Sequence, residues 1–364
     1  MPAVMILADE DFASRERDML ARLEVGLISD GLRVLHAVPT TLPELLEQGV
    51  FNQPIGYEPR GPLPPLSIRA RDLAQRAMAI QPGEGVGLVH VFGRQAWPIG
   101  FEVAGLLRTA LVLEVYSARL ADELAGAQLD SVGERVLACV PGQGMERRCL
   151  RTLDGRHLRR IRWGVHAQDA PAADRPLAGG DRPAVLLLGT GQDKDAWGHA
   201  LQALAGLRLD GDQPPLVFAD AHAAHHAALR HHVERLGMDE HVSLVPQVEA
   251  FRQPVLEVDL LLLPEALHEH RSIVLDAHAN GVLVAARTDP LVDELTDRYG
   301  VTQLDLADHR RWTDHLRRLF EEPGLAHQRR TAGWSAVHKD HPSTGQVAAL
   351  QSLYEGLLAP PKSA

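Results

Sequence analysis

Gly189-Thr190-Gly191 lies between an apolar run, Ala184–Leu188, and an amphipathic stretch beginning near Ala196. A glycine-containing turn at the head of a helix aims backbone N–H groups outward, an arrangement that receives phosphate or carboxylate oxygens. The same turn also serves as a plain tight connection from strand to helix. A second polar loop, with Glu265, His268, Glu269 and His270, follows the apolar run Val258–Leu263. Its carboxylates and imidazoles suit proton transfer, or form a solvated loop. His90 belongs to the apolar segment Val86–Val91, with Arg94 just beyond it. At a strand end such a histidine is a base, a hydrogen-bond donor or a structural group.

The chain has nineteen histidines, and His222 and His226 are four apart on a helical stretch. That spacing puts two imidazoles on one face, as zinc sites do. His225, His231 and His232 spread around the helix. A hydrated face titrating near pH ~6.5 is expected, and no metal. Cys139 and Cys149 are too few for a disulfide framework or a four-thiolate zinc site. Cys139 falls in an apolar strand. Cys149 stands among arginines that would lower its pKa, without a partner histidine and acid. Arg147, Arg148, Arg151, Arg156, Arg159, Arg160 and Arg162 form a local basic patch. It would meet an acidic acceptor, an anionic membrane surface or a partner, or be balanced by nearby acids.

These residues need elements to hold them. Ala3–Leu7 is a buried strand by composition, and Ser14 is placed to cap a helix over Arg15–Ser29. Leu32–Val38 follows as a second strand, so the opening is a parallel βαβ unit. Residues 51–67 carry five prolines and read as a loop. Further strands are expected at Val86–Val91, Ala110–Val115 and Arg135–Val140. Residues 168–183 read as a linker rich in proline and glycine. Strands then return at Ala184–Leu188, Leu216–Ala219, Val242–Leu244, Val258–Leu263 and Val282–Ala286. A helix spans Ala221–Leu236, another ends at Gly281, and a last one covers Gly345–Leu358.

At 364 residues, roughly two domains of ~150 residues are expected. With 45% hydrophobic residues there is material for two cores, and disorder is excluded. A net charge of −11 argues against nucleic acid as a partner. No apolar run approaches the ~20 residues of a membrane helix. The N-terminus reads as a first strand and not a signal peptide. A cytoplasmic protein is expected, with the arginines as its one membrane-peripheral feature.

Val258–Leu295 reads VDLLLLPEALHEHRSIVLDAHANGVLVAARTDPLVDEL. It resembles the donor-site segment of retaining glycosyltransferases of family 4. Arg135–His166, Leu186–Leu204 and Leu88–Gly93 are similar to other segments of that family, in the same order. The resemblance implies an α/β, GT-B-like fold: two Rossmann-type doubly wound domains facing a cleft, with a C-terminal helix crossing back to the first. The expected divisions are 1–167, the acceptor side; 168–183, the linker; 184–341, the nucleotide-sugar side; and 342–364, the crossing helix and tail.

The implied activity is transfer of a hexose from a nucleotide-sugar to an unknown acceptor, with retention. The alternative is a degenerate homologue that binds a sugar, nucleotide or protein partner without turnover. The nucleotide-sugar is a substrate, and no metal or other cofactor is implied. In register, the family's two acids fall on His268, beside Glu269, and on Asp276. With His90 on the sugar side, His268 and Glu269 form the implied catalytic set. Gly189, Thr190, Lys194, Asp276 and Glu294 are the implied donor contacts. Several positions depart from the family. Its basic pair falls on Thr190 and Asp195, and a carboxylate ~4 Å from a phosphate charge costs roughly 4 kcal/mol. Its Gly-Gly is Pro290-Leu291, which removes an N–H and blocks close backbone approach. Its opening glycine-rich loop is replaced by Asp9–Ala13, acidic and bulky.

Overall fold

Strand β1 (Ala3–Ala8) is wholly buried along its length, as a strand covered on both faces of a parallel sheet must be. In the computed structural model, the described residues are 2–47, 54–59, 61, 64–81, 83, 85–126, 135–167, 182–207, 213–250, 252–304 and 308–359. They divide into two compact units, Met1–Gly164 with Ser343–Ala364, and Val165–Pro342. Among the described residues no helix is long and apolar enough to cross a membrane.

In the first unit β1 leads through α1 (Glu10–Arg15) and α2 (Arg17–Ser29) to β2 (Val34–Pro39). Then come α3 (Pro43–Glu47), β3 (Ile55–Tyr57), α4 (Leu66–Ile80), β4 (Val86–Phe92), α5 (Trp97–Leu107) and β5 (Ala110–Glu114). The series continues with α6 (Ala118–Gly126), β6 (Val136–Val140), α7 (Gln143–Cys149) and β7 (Leu158–Arg160). The seven strands run parallel in the order β3-β2-β1-β4-β5-β6-β7. The order reverses between β1 and β4, the switch point where open α/β sheets leave a crevice.

The second unit opens with β8 (Ala184–Leu187), α8 (Lys194–Gly206), β9 (Leu216–Asp220), α9 (Ala221–His226) and α10 (Leu229–Leu236). It continues through β10 (Val242–Val245), α11 (Gln253–Glu257), β11 (Leu260–Leu263), α12 (Ser272–Ala279) and β12 (Leu283–Ala286). It ends with β13 (Thr302–Gln303), α13 (His309–Glu321) and α14 (Pro323–Asp340). Its six parallel strands run β10-β9-β8-β11-β12-β13, with the switch between β8 and β11. Trp197 on α8 and Trp312 on α13 anchor its core against Leu260 and Leu262 of β11.

Helix α15 (Ser343–Leu358) belongs to the first unit and lies against α2 and β4. Gly26 on α2 makes room for Val347, whose methyl group a Cβ there would meet. A polar chain pins the helix to the sheet. The Tyr354 hydroxyl meets His90 Nδ1 at 2.6 Å, His90 Nε2 meets Glu114 Oε2 at 3.2 Å, and Trp163 Nε1 donates to Glu114 Oε1 at 2.7 Å. Paired in this way, the buried polar groups avoid the ~1–3 kcal/mol that an orphaned one costs.

Several elements differ from expectation. Ser14 does not cap the first helix. The Asp9 carboxylate, one residue past β1, accepts from Phe12 N at 2.9 Å and starts α1 earlier. The proline-rich stretch contains edge strand β3, while residues 51–53, 60, 62 and 63 of it lie outside the described residues. The helix expected over 221–236 breaks at Ala228, whose φ of 53° interrupts the helical ladder. Residues 168–181 of the expected linker also lie outside the described residues.

Candidate functional site

The carboxyl ends of β8, β11 and β12 gather the second unit's chemistry. β8 runs into Gly189-Thr190-Gly191, and Asp193 then caps α8 by accepting from Ala196 N at 3.0 Å. The N–H groups of this turn converge on Glu265, which follows β11. Glu265 Oε1 accepts from Gly191 N at 2.7 Å, Thr190 Oγ1 at 3.0 Å and Trp197 Nε1 at 3.2 Å, and also from Thr190 N. Its Oε2 accepts from Asp193 N at 3.0 Å. Burial would raise this carboxyl's pKa. The donors from Asp193, Trp197, Gly191 and Thr190 outweigh burial and hold it below the ordinary glutamate value. Both glycines serve the turn. A Cβ at Gly189 would stand 2.5 Å from Glu265 Oε1, and Gly191 has φ +75° with the Ala223 carbonyl against it.

Three residues past Glu265, His268 adopts φ 53°, the left-handed region that few residues other than glycine enter. Its backbone N–H donates to Asp289 Oδ2 at 2.6 Å, and its Nδ1 lies 3.3 Å from Asp289 Oδ1. Leu291 N also donates to Asp289 Oδ1, at 3.0 Å. Asp289 is fully buried, whereas the His268 side chain is 52% exposed. A carboxylate only accepts, so Nδ1 is the donor of this pair and Nε2 is the ring nitrogen turned away from Asp289. Glu269 is partly buried beside it.

Asp276 and Glu294 have internal partners. Asp276 is buried on α12, with Arg252 Nε 3.4 Å from its Oδ2. Arg252 Nη2 also donates to Ser272 Oγ at 2.8 Å, and Arg271 pairs with Glu249 at 2.5 Å. Glu294 Oε2 is 3.0 Å from His270 Nδ1, and His341 Nε2 approaches Glu294 Oε1 at 3.7 Å. Burial opposes Glu294's charge, but these histidines bring its pKa down to about 2. Burial likewise lowers the His270 pKa, and Glu294 reverses that and raises it. His270 Nε2 donates to the Leu291 carbonyl at 2.8 Å, so both of its ring nitrogens donate. Leu291's own N–H and carbonyl are therefore engaged internally. Lys194 opens α8 and is exposed. Arg287, just past β12, lies near the same helix head, with Nη1 3.5 Å from Asp193 Oδ2.

In the first unit His90 lines no surface. It is wholly buried, with one ring nitrogen facing Tyr354 and the other Glu114. Cys139 joins His90 and Glu114 in a group whose ligand atoms lie within 4.8 Å of one another. Burial pushes the Cys139 thiol far up, and both imidazole nitrogens are already engaged, so the group reads as packing. Cys149 also departs from expectation. Burial outweighs Arg148 and raises its thiol to about 11. His222 and His226 do share a helix face, exposed, with Nε2 atoms 3.2 Å apart. The arginine patch is partly neutralised: Arg148 pairs with Asp122, Arg156 with Asp154 and Arg160 with Glu146.

The first unit's switch point is also bridged by a carboxylate. Besides capping α1, Asp9 accepts from Gln95 N at 2.9 Å, beyond β4. Gly93, at φ +88°, has no Cβ to strike that carboxylate. Here burial prevails over two backbone donors and raises the Asp9 pKa.

The sequence points to neither Asp289 nor Arg287, and it marks Glu265 and Asp9 as loop acids without their bridging roles. Asp289-Pro290 does carry a turn signal, and it places Asp289 where it can take the His268 N–H. Glu265 had only its position directly after a proline at a strand end.

No family model matches the chain, and no curated protein sequence matches it. Solved structures do. A glycosyltransferase from Rickettsia africae superimposes with a TM-score of 0.71 at 13% identity, covering 100% of both chains. Anabaena Alr3699/HepE in complex with UDP gives 0.72 at 11% identity, covering 98% of this chain and 100% of that one. The sucrose-phosphate synthase of Thermosynechococcus elongatus gives 0.71 at 14% identity, covering 98% and 99%. With two parallel Rossmann-type sheets and this full-length likeness, the chain has the GT-B fold of the glycosyltransferases.

Proposed function

We propose that this protein is a glycosyltransferase that moves a hexose from a nucleotide-sugar to an acceptor hydroxyl with retention. The observation that carries the reading is the His268–Asp289 pair at the carboxyl edge of the second sheet. A strained backbone that presents an imidazole, oriented by a buried carboxylate, is the kind of feature that accumulates at functional sites. The fold supports the donor class: HepE has been solved with UDP, and with UDP-glucose. In this reading the acceptor oxygen bonds to the anomeric carbon on the same face that the diphosphate leaves, as retention in one step requires, and His268 Nε2 takes the hydroxyl's proton. The bond from that carbon to the diphosphate oxygen breaks, and the nucleoside diphosphate leaves. Arg287 and Lys194 supply positive charge for the leaving group, and Glu269 lies beside the sugar. Asp276 acts through Arg252, and Glu294 through His270, as positioning residues. The arginines of the first unit offer a basic face to an acidic acceptor or an anionic membrane surface. The setting is cytoplasmic.

One observation favours the other reading, binding without turnover: Glu265 already fills the turn at the head of α8. A panel of nucleotide-sugars separates the two. Released nucleoside diphosphate, reduced about 100-fold or more in His268→Ala, is the expected result, since positioned proton transfer contributes ~10²–10⁴-fold. Thermal stabilisation by a nucleotide-sugar without release would establish the binding reading. Release that His268→Ala leaves unchanged would remove His268 from the chemistry.

A further inference from the structure

The turn at the head of α8 has the composition of an oxyanion receptor. Three backbone N–H groups, one hydroxyl and one indole N–H point at a single carboxylate. Nothing in that donor set is specific to glutamate; a phosphate group presents the same kind of acceptor oxygens. The occupant is 4% exposed and comes from the neighbouring strand across the switch point. A short tether keeps it there at high effective concentration, so an incoming phosphate has to displace it. A displaced carboxylate would also remain nearby as a like charge.

We infer that Glu265 is a tethered oxyanion that denies the α8 turn to the phosphates of a nucleotide. The turn is a built receptor kept closed by the chain itself. A phosphorylated ligand of the wild-type protein is held by other groups, such as Arg287 and Lys194, or binds only by expelling Glu265. This inference does not rest on turnover: the receptor can be closed in a transferase or in a binding protein.

Chemical rescue tests it, with acetate, inorganic phosphate and pyrophosphate as the probes. Glu265→Ala is expected to melt below the wild type, and each oxyanion at millimolar concentration is expected to restore much of the loss, while chloride at equal ionic strength does not. By calorimetry the variant is expected to bind pyrophosphate at least 10-fold more tightly than the wild type. A variant that no oxyanion stabilises, or equal pyrophosphate affinity in the two proteins, overturns the inference. Should Glu265→Ala not fold in chloride, refolding in phosphate decides the matter. Recovery there supports the closed receptor. Failure in every oxyanion, with Glu265→Gln folded and unchanged in pyrophosphate affinity, rejects it. A nucleotide-sugar panel that shows no release would leave a positive rescue intact, so the two readings fail separately.

Discussion

The two switch points solve one problem with opposite electrostatic outcomes. In the first unit Asp9 spans β1 and β4; in the second Glu265 spans β8 and β11. Both carboxylates are nearly fully buried, and both occupy the place where open α/β sheets usually take a ligand. Asp9 receives two backbone N–H groups, too few to offset its desolvation, and its pKa rises. Glu265 receives three backbone N–H groups, an indole and a hydroxyl, and its pKa falls. Donor number, more than burial, decides which carboxylate is comfortable as an anion. The first is a cap shared by two helix starts. The second is an anion in a receptor.

The largest expected effect concerns stability. Glu265→Ala orphans several buried donors and should cost ~3–5 kcal/mol in urea unfolding. Asp9→Ala removes a cap whose charge was strained by burial and should cost about 1–2 kcal/mol. Equal losses would break the comparison.

A smaller effect, and a sharper one, lies in pH dependence. Glu265 has a folded pKa below its unfolded value of about 4.3. Its contribution is therefore present above that pH and lost as pH falls through the folded value. Asp9 has a folded pKa above its unfolded value of about 3.9, so it costs stability at neutral pH and that cost is relieved on acidification. Glu265→Gln should therefore flatten the acid limb of the stability profile, and Asp9→Asn should steepen it. Guanidinium titrations between pH 3 and 6 measure both slopes, and changes in the same direction from the wild-type slope would contradict the assignment.

Much of the fold is readable in the sequence because the central parallel strands are unbroken apolar runs, such as Ala3–Ala8 and Leu260–Leu263. The edge strands β3, β7 and β13 are two or three residues long and partly polar, so no periodicity marks them. Helix α14 lacks a plain apolar stripe, burying only Ala326, Gly333, Ala336 and Val337, whereas α13 carries one in Trp312, Leu316 and Leu319 among many charges. At the site, the Gly189–Gly191 turn is legible as a set of outward N–H groups. Its occupant lies 74 residues away in the chain and meets it only through the pairing of β8 with β11. His90 shows the converse limit. Its strand is plain in the sequence, but its depth in the strand, and Tyr354 waiting on α15, are not. His268 stands out in the sequence, while the buried Asp289 that orients it becomes visible only with the turn after β12.

The most direct test of the account follows the Glu265 carboxyl carbon and the Trp197 indole proton by NMR as pH is lowered. Glu265 is expected to titrate below the ordinary glutamate value, and the Trp197 N–H shift to move with the same midpoint. A Glu265 midpoint at or above about 4.3, with an indole proton indifferent to it, would contradict the claim that this carboxylate is held as an anion in a receptor.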